Sequence, residues 1–92
     1  MEKIEDVIQL VNEVRHRLGW DIIDTNETMM SYLSDEVEEL KIEIQHNNPK
    51  GISDELMDVM FVCFAMLHDN QIDLKTALKE KLDRVVEKYE SR

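Results

Sequence analysis

The chain has 92 residues, enough for one small domain, here read as a single helical domain over 1–92. Its 11 Lys and Arg against 21 Asp and Glu give a formal net charge of −10, which argues against nucleic acid or an anionic membrane as the main partner. The longest apolar run, Val59 to Leu67, is nine residues, far short of the roughly 20 that span a bilayer. The first residues, Met1 to Asp6, are charged and carry no signal-peptide core, and the single Cys63 allows no internal disulfide. A soluble, cytoplasmic chain is expected.

Only two Gly and one Pro interrupt the sequence, so helix is the expected local structure. Residues 2 to 18 place Ile4, Val7, Ile8, Val11, Val14 and Leu18 at spacings of three and four, one apolar stripe on a helix. Gly19 is a plausible stop, Trp20 to Asp24 reads as a connector, and Thr25 or Asn26 can cap the second helix. That helix is expected over 27–45, with Met30, Leu33, Val37, Leu40 and Ile44 as its core stripe and Tyr32, Glu36, Glu39 and Glu43 alongside.

Asn47 to Gly51 has a turn composition, and the third helix is expected over 53–68. Its middle, Val59 to Leu67, is apolar on every side, as in a helix buried all round, and Cys63 is read as a small buried residue. Four short helices cannot enclose one of their number, so this helix is expected to pack against a second subunit as well. The last helix is expected over 74–89, with Leu74, Leu78, Leu82, Val85 and Tyr89 on one face and Lys81, Arg84 and Lys88 on another.

The chemistry lies in two acidic pairs. Glu36 and Glu39 are three residues apart, as are Glu55 and Asp58. Helical residues three apart share a face. Two such pairs, on helices joined by a short turn, bring four carboxylates to one place. Four carboxylates repel unless a cation sits among them, and oxygen-only ligands suit Mg²⁺, Mn²⁺ or Ca²⁺. An isolated pair of this kind is usually solvated charge; two pairs on adjacent helices make the metal reading the stronger. His16, His46 and His68 show no paired ligand spacing, so no zinc site is expected.

These residues resemble a known family. Glu36-x-x-Glu39 followed by Glu55-x-x-Asp58 is similar to the signature of the MazG-type nucleoside triphosphate pyrophosphohydrolases, an all-α superfamily that includes dimeric dUTP pyrophosphatases and phosphoribosyl-ATP pyrophosphohydrolases. Trp20-Asp21, Thr25, Tyr32-Leu33 and Asp35-Glu36 resemble that family's run ahead of the first pair, and Lys81-Leu82-Asp83-Arg84 resembles its later Lys-Leu-Glu-Arg. Met57 stands in place of the usual Gly, Asn26 where His is frequent, and Val85 where many relatives have Arg or Asn.

The resemblance implies a four-helix bundle completed by oligomerisation, as a dimer or a tetramer of paired dimers. It implies Mg²⁺, with Mn²⁺ as a substitute, held by Glu36, Glu39, Glu55 and Asp58 as the catalytic set. The implied reaction cleaves a nucleoside triphosphate between its α and β phosphates, a house-cleaning role. Alternatives are a phosphoribosyl-ATP or dUTP-type enzyme, or a silent helical interaction module. Trp20 is either a core anchor or a wall for a base. Tyr32 reads as core more readily than as a ligand contact. Lys81, Arg84 and Lys88 either meet phosphates or pair with neighbours such as Glu80 and Glu87.

Overall fold

The computed structural model describes residues 3–90, and every regular element among them is helical. The helices are α1 (Ile4–Leu18), α2 (Trp20–Ile23), α3 (Asn26–Gln45), α4 (Pro49–Asp69) and α5 (Leu74–Glu90). The four long helices overlap the stretches 2–18, 27–45, 53–68 and 74–89, with residue 2 outside the described residues. The connector between the first two is itself one helical turn, α2.

Local chemistry explains the breaks. Gly19 ends α1 in the left-handed region at φ 75°, where its N–H reaches the carbonyls of Arg15 and His16, and glycine enters that region without a Cβ penalty. Thr25 caps α3 through a reciprocal box with Thr28: each side chain meets the other's backbone N–H, at 3.2 and 2.9 Å. Asp73 Oδ2 accepts the Thr76 N–H at 3.2 Å at the head of α5. The third long helix starts at Pro49 rather than Ser53. Proline lacks the N–H that a first helical turn leaves unpaired, and its fixed φ suits that turn, so Pro49 opens the helix rather than delaying it.

α3 and α4 form an antiparallel pair, and α1 crosses the C-terminal end of α4. The core is small: Met29, Val62 and Ala65, with Leu33, Phe61 and Met66 packed against it. Here the expected stripe of α3 is corrected. Met29 is the buried residue, whereas Met30, Val37 and Ile44 are about half exposed, Met30 at 55%. In one chain α3 has a single long neighbour, and the side it presents to α4 runs through Met29, Leu33, Glu36 and Leu40. The Met30–Val37–Ile44 row faces away.

α4 is covered on one side only. Val62 and Ala65 are buried, Phe61 turns inward, and the opposite row through Leu56 and Met60 is exposed. Cys63 lies on that outer row and is exposed, not buried as its apolar neighbours suggested. α5 packs closely on no other helix, and every residue from Lys75 to Glu90 is exposed. The radius of gyration, 15.4 Å, exceeds the roughly 12 Å of a compact chain of this length.

A charged anchor binds α1 to the pair. Arg15 is completely buried and grips both oxygens of Asp69, at 3.0 and 2.7 Å, while a longer contact of 3.4 Å reaches Asp24. Asn12 Oδ1 accepts a further bond from Arg15 at 2.6 Å. Residues of α1, α4 and the α2–α3 link are thereby held by one guanidinium. No helix among the described residues is long and apolar enough to cross a membrane.

Candidate functional site

The i, i+3 spacing of Glu36 and Glu39 puts both on the side of α3 that looks along α4. Glu55 and Asp58 do the same from α4. One carboxylate oxygen from each of Glu36, Glu39 and Glu55 lies within 4.8 Å of the others. Asp58 is not one of those three. It lines the same cavity as Glu36, and its charge acts on all three glutamates.

Glu36 Oε2 and Glu55 Oε2 are both enclosed, and neither receives a hydrogen bond from a donor group. An enclosed carboxylate oxygen without a donor is costly. A proton shared between the two carboxyls, or a cation between them, meets that need. The donor set is oxygen only, so the residues fit a hard divalent cation.

The titration of the cluster has the same origin. The hydrogen bond with Glu55 pulls the Glu36 carboxyl down, but burial and the charges of Asp58 and Glu39 outweigh it and leave Glu36 above the usual glutamate range. Glu55 is raised by its hydrogen bond to Glu36, then by burial and by the Glu36 and Asp58 charges. The Glu55 charge, followed by burial, raises Glu39.

A raised carboxyl keeps its proton longer in the folded protein than in the unfolded chain, so stability falls as pH climbs above 4.5, the ordinary glutamate value. Asp69 behaves oppositely: its hydrogen bond from Arg15 lowers it, and its contribution is lost as pH falls below 3.8. The melting temperature in a chelator should therefore decline as the pH rises above 4.5. Excess Mg²⁺ should abolish that decline. A melting temperature independent of pH in chelator would contradict the carboxylate crowding.

Beyond the acids, a cavity of 470 Å³ opens between α2, α3 and α4. Asp35, Glu36 and Asp58 line it, as do Trp20, Tyr32 and Phe61. Trp20 meets Phe61 edge to face, centroids 6.3 Å apart and planes at 85°, and both Trp20 and Tyr32 are partly exposed. The structure thus brings Trp20 and Tyr32 to the acidic cluster. It does not bring Lys81, Arg84 and Lys88 there: all three are exposed on α5 and none lines the cavity. Lys88 instead lies 5.4 Å from the centre of the Tyr89 ring.

Two residues near the site went unread in the sequence. Arg15 interrupts the apolar row Ile4, Ile8, Val11 and Leu18 at the position where a fourth aliphatic residue would fit, and that charge in an apolar row was the available signal. Asp24 falls in the stretch that reads as a connector. It lines the cavity and carries a side chain only 8% exposed, against Arg15.

Searches of curated proteins and of solved structures returned no match. The family model of the MazG nucleotide pyrophosphohydrolase domain matches residues 24–92, three quarters of the chain. The match takes in both acidic pairs, Tyr32 and all of α5, while α1 and Trp20 precede it. With its paired acids on adjacent helices beside an aromatic-lined cavity, the chain belongs to the MazG nucleotide pyrophosphohydrolase family.

Proposed function

We propose that the chain hydrolyses nucleoside triphosphates between the α and β phosphates, giving a nucleoside monophosphate and pyrophosphate, in a house-cleaning role. The observation that carries this is the convergence of Glu36, Glu39 and Glu55, with two enclosed oxygens lacking donors, beside a cavity with aromatic walls. Glu36, Glu39, Glu55 and Asp58 would hold Mg²⁺, or Mn²⁺ in its place. A bound divalent cation would offset the charge of the triphosphate and lower the pKa of a water. A carboxylate of the cluster would accept a proton from the attacking water. Trp20 and Tyr32 flank the base.

We further propose that the chain works as a dimer or a tetramer of paired dimers. The exposed apolar rows on α3, α4 and α5 support this, because a monomer would leave them wet. Lys81, Arg84 and, at the edge, Lys88 would then reach the phosphates of a neighbouring copy's site.

Pyrophosphate release across canonical nucleotides, dUTP and phosphoribosyl-ATP, with and without Mg²⁺, tests the reaction. No metal-dependent release from any of them would overturn it. Lys81→Ala and Arg84→Ala test the stripe. An exposed pair on a surface is worth only about 0–1 kcal/mol. Charge-assisted bonds to a phosphate are roughly twice as strong as neutral ones. Each substitution should leave the melting temperature unchanged and lower kcat/KM about a hundredfold, or about 2.7 kcal/mol. A lowered melting temperature with normal kinetics would make the stripe structural.

A further inference from the structure

Asp24 stands apart from the acids of the metal cluster. Its side chain is 8% exposed, and it lines the 470 Å³ cavity together with Trp20, Ile23, Met29, Tyr32 and Phe61. Its Oδ2 meets Arg15 Nη2 at 3.4 Å, and its Oδ1 has no hydrogen-bond donor among the described residues. Arg15 cannot turn further toward it, because both oxygens of Asp69 already hold the same guanidinium. One acceptor of a nearly buried carboxylate is therefore left without a donor in a chamber whose aromatic and apolar lining separates it in sequence from the other lining acids, Asp35, Glu36 and Asp58.

The spacing along α3 gives the chamber a direction. Glu36 belongs to the acidic cluster, and Met29 is seven residues earlier on the same helix, a rise of about 10 Å. Asp24, just ahead of α3, lies at the end of that helix away from the cluster, and Trp20 packs on Phe61, one turn along α4 from Asp58. A nucleotide whose phosphates meet the acids through a cation thus directs its base toward Trp20, Phe61 and Asp24.

We propose that Asp24 is a specificity-determining residue that accepts a hydrogen bond from an exocyclic amino group of the base and selects amino-bearing nucleotides over their keto counterparts. This rests on the pyrophosphohydrolase reading of the site. A carboxylate only accepts. It is served by the N4 amino group of cytosine or the N6 amino group of adenine. Uracil and hypoxanthine present a carbonyl oxygen at the corresponding place, and the ring N–H of uracil is flanked by carbonyl oxygens on both sides. A keto base therefore sets oxygen against oxygen, and Asp24 Oδ1 stays without a donor.

The experiment compares kcat/KM for dCTP with dUTP, and for ATP with ITP, in the wild type and in Asp24→Asn. The wild type should favour the amino member of each pair by about ten- to a hundredfold, the range of one hydrogen bond to a charged group. The amide can donate as well as accept, so Asp24→Asn should bring both ratios to about threefold or less. Equal use of amino and keto nucleotides by the wild type would overturn the inference. So would a folded Asp24→Asn protein that loses activity equally toward both members of a pair. Should that variant fail to fold, the 2-pyrimidinone analogue of dCTP, which lacks the amino group, gives the answer in the wild type: a loss comparable to that for dUTP supports the role, and turnover equal to dCTP refutes it. Absence of turnover with every nucleotide is a different result, and it would refute the pyrophosphohydrolase reading itself.

Discussion

Glu55→Gln and Glu36→Gln should each abolish pyrophosphate release, lowering kcat/KM by at least about a thousandfold, or about 4 kcal/mol. Both should also raise the melting temperature of the metal-free protein. The two effects share one cause. Glu36 and Glu55 each hold an enclosed oxygen that no donor serves, and their charges oppose one another and Asp58. An amide in place of either carboxylate removes one negative charge and supplies an N–H to the other, so the folded chain without metal gains. The same change removes an anionic ligand and brings a donor toward the cation, so the metal complex loses. Thermal melts in chelator and in Mg²⁺, run beside pyrophosphate assays, read both quantities on one sample. A variant with near-normal turnover would remove the assignment of that residue to the metal site.

Arg15→Ala should cost about 3 kcal/mol, at the lower end for breaking a buried ion pair, because the Asp69 side chain keeps 28% of its exposure. At about 4–8 °C per kcal/mol for a domain of this size, the melting temperature should fall by more than 10 °C. The loss arises less from the attraction given up than from Asp24, which stays nearly buried with no cation beside it. Arg15→Met fills the space and should cost less than the alanine change, the more so because Arg15 Nε is already buried without a partner. A double cycle with Asp69→Asn isolates the pair. Coupling near zero would mean that α1 is held by aliphatic packing alone.

Local signals in the sequence were faithful at most helix ends, though Pro49 opens α4 where a turn was expected. Gly19 and Thr25 end and begin helices for reasons contained within a few residues. The acidic pairs were legible for a similar reason: their spacing fixes a shared face whatever the helix packs against. The side of α3 that meets α4 was not legible. Met30, Leu33, Val37, Leu40 and Ile44 form the better apolar row, yet α4 lies over Met29, Leu33 and Glu36. Periodicity finds an apolar face but not its partner, and a chain with more apolar faces than neighbours leaves some uncovered. Arg15 was missed because two of its three partner residues, Asp24 and Asp69, lie 9 and 54 positions away, and the third is an Asn on its own helix.

α5 has a thermodynamic consequence of its own. Its 17 residues are held mainly by intrinsic propensity and by short-range pairs such as Lys79–Asp83 at 3.7 Å, and helices of this length are marginal in water without tertiary support. Every residue from Lys75 to Glu90 is exposed, so α5 is only loosely coupled to the cooperative unit built on α1, α3 and α4. Its backbone amides should exchange with solvent deuterium through local fraying, while those around Val62 and Ala65 wait for global unfolding. Slow exchange along α5 at high protein concentration, giving way to fast exchange on dilution, would therefore be a direct measure of how much of this helix's order is borrowed from another copy.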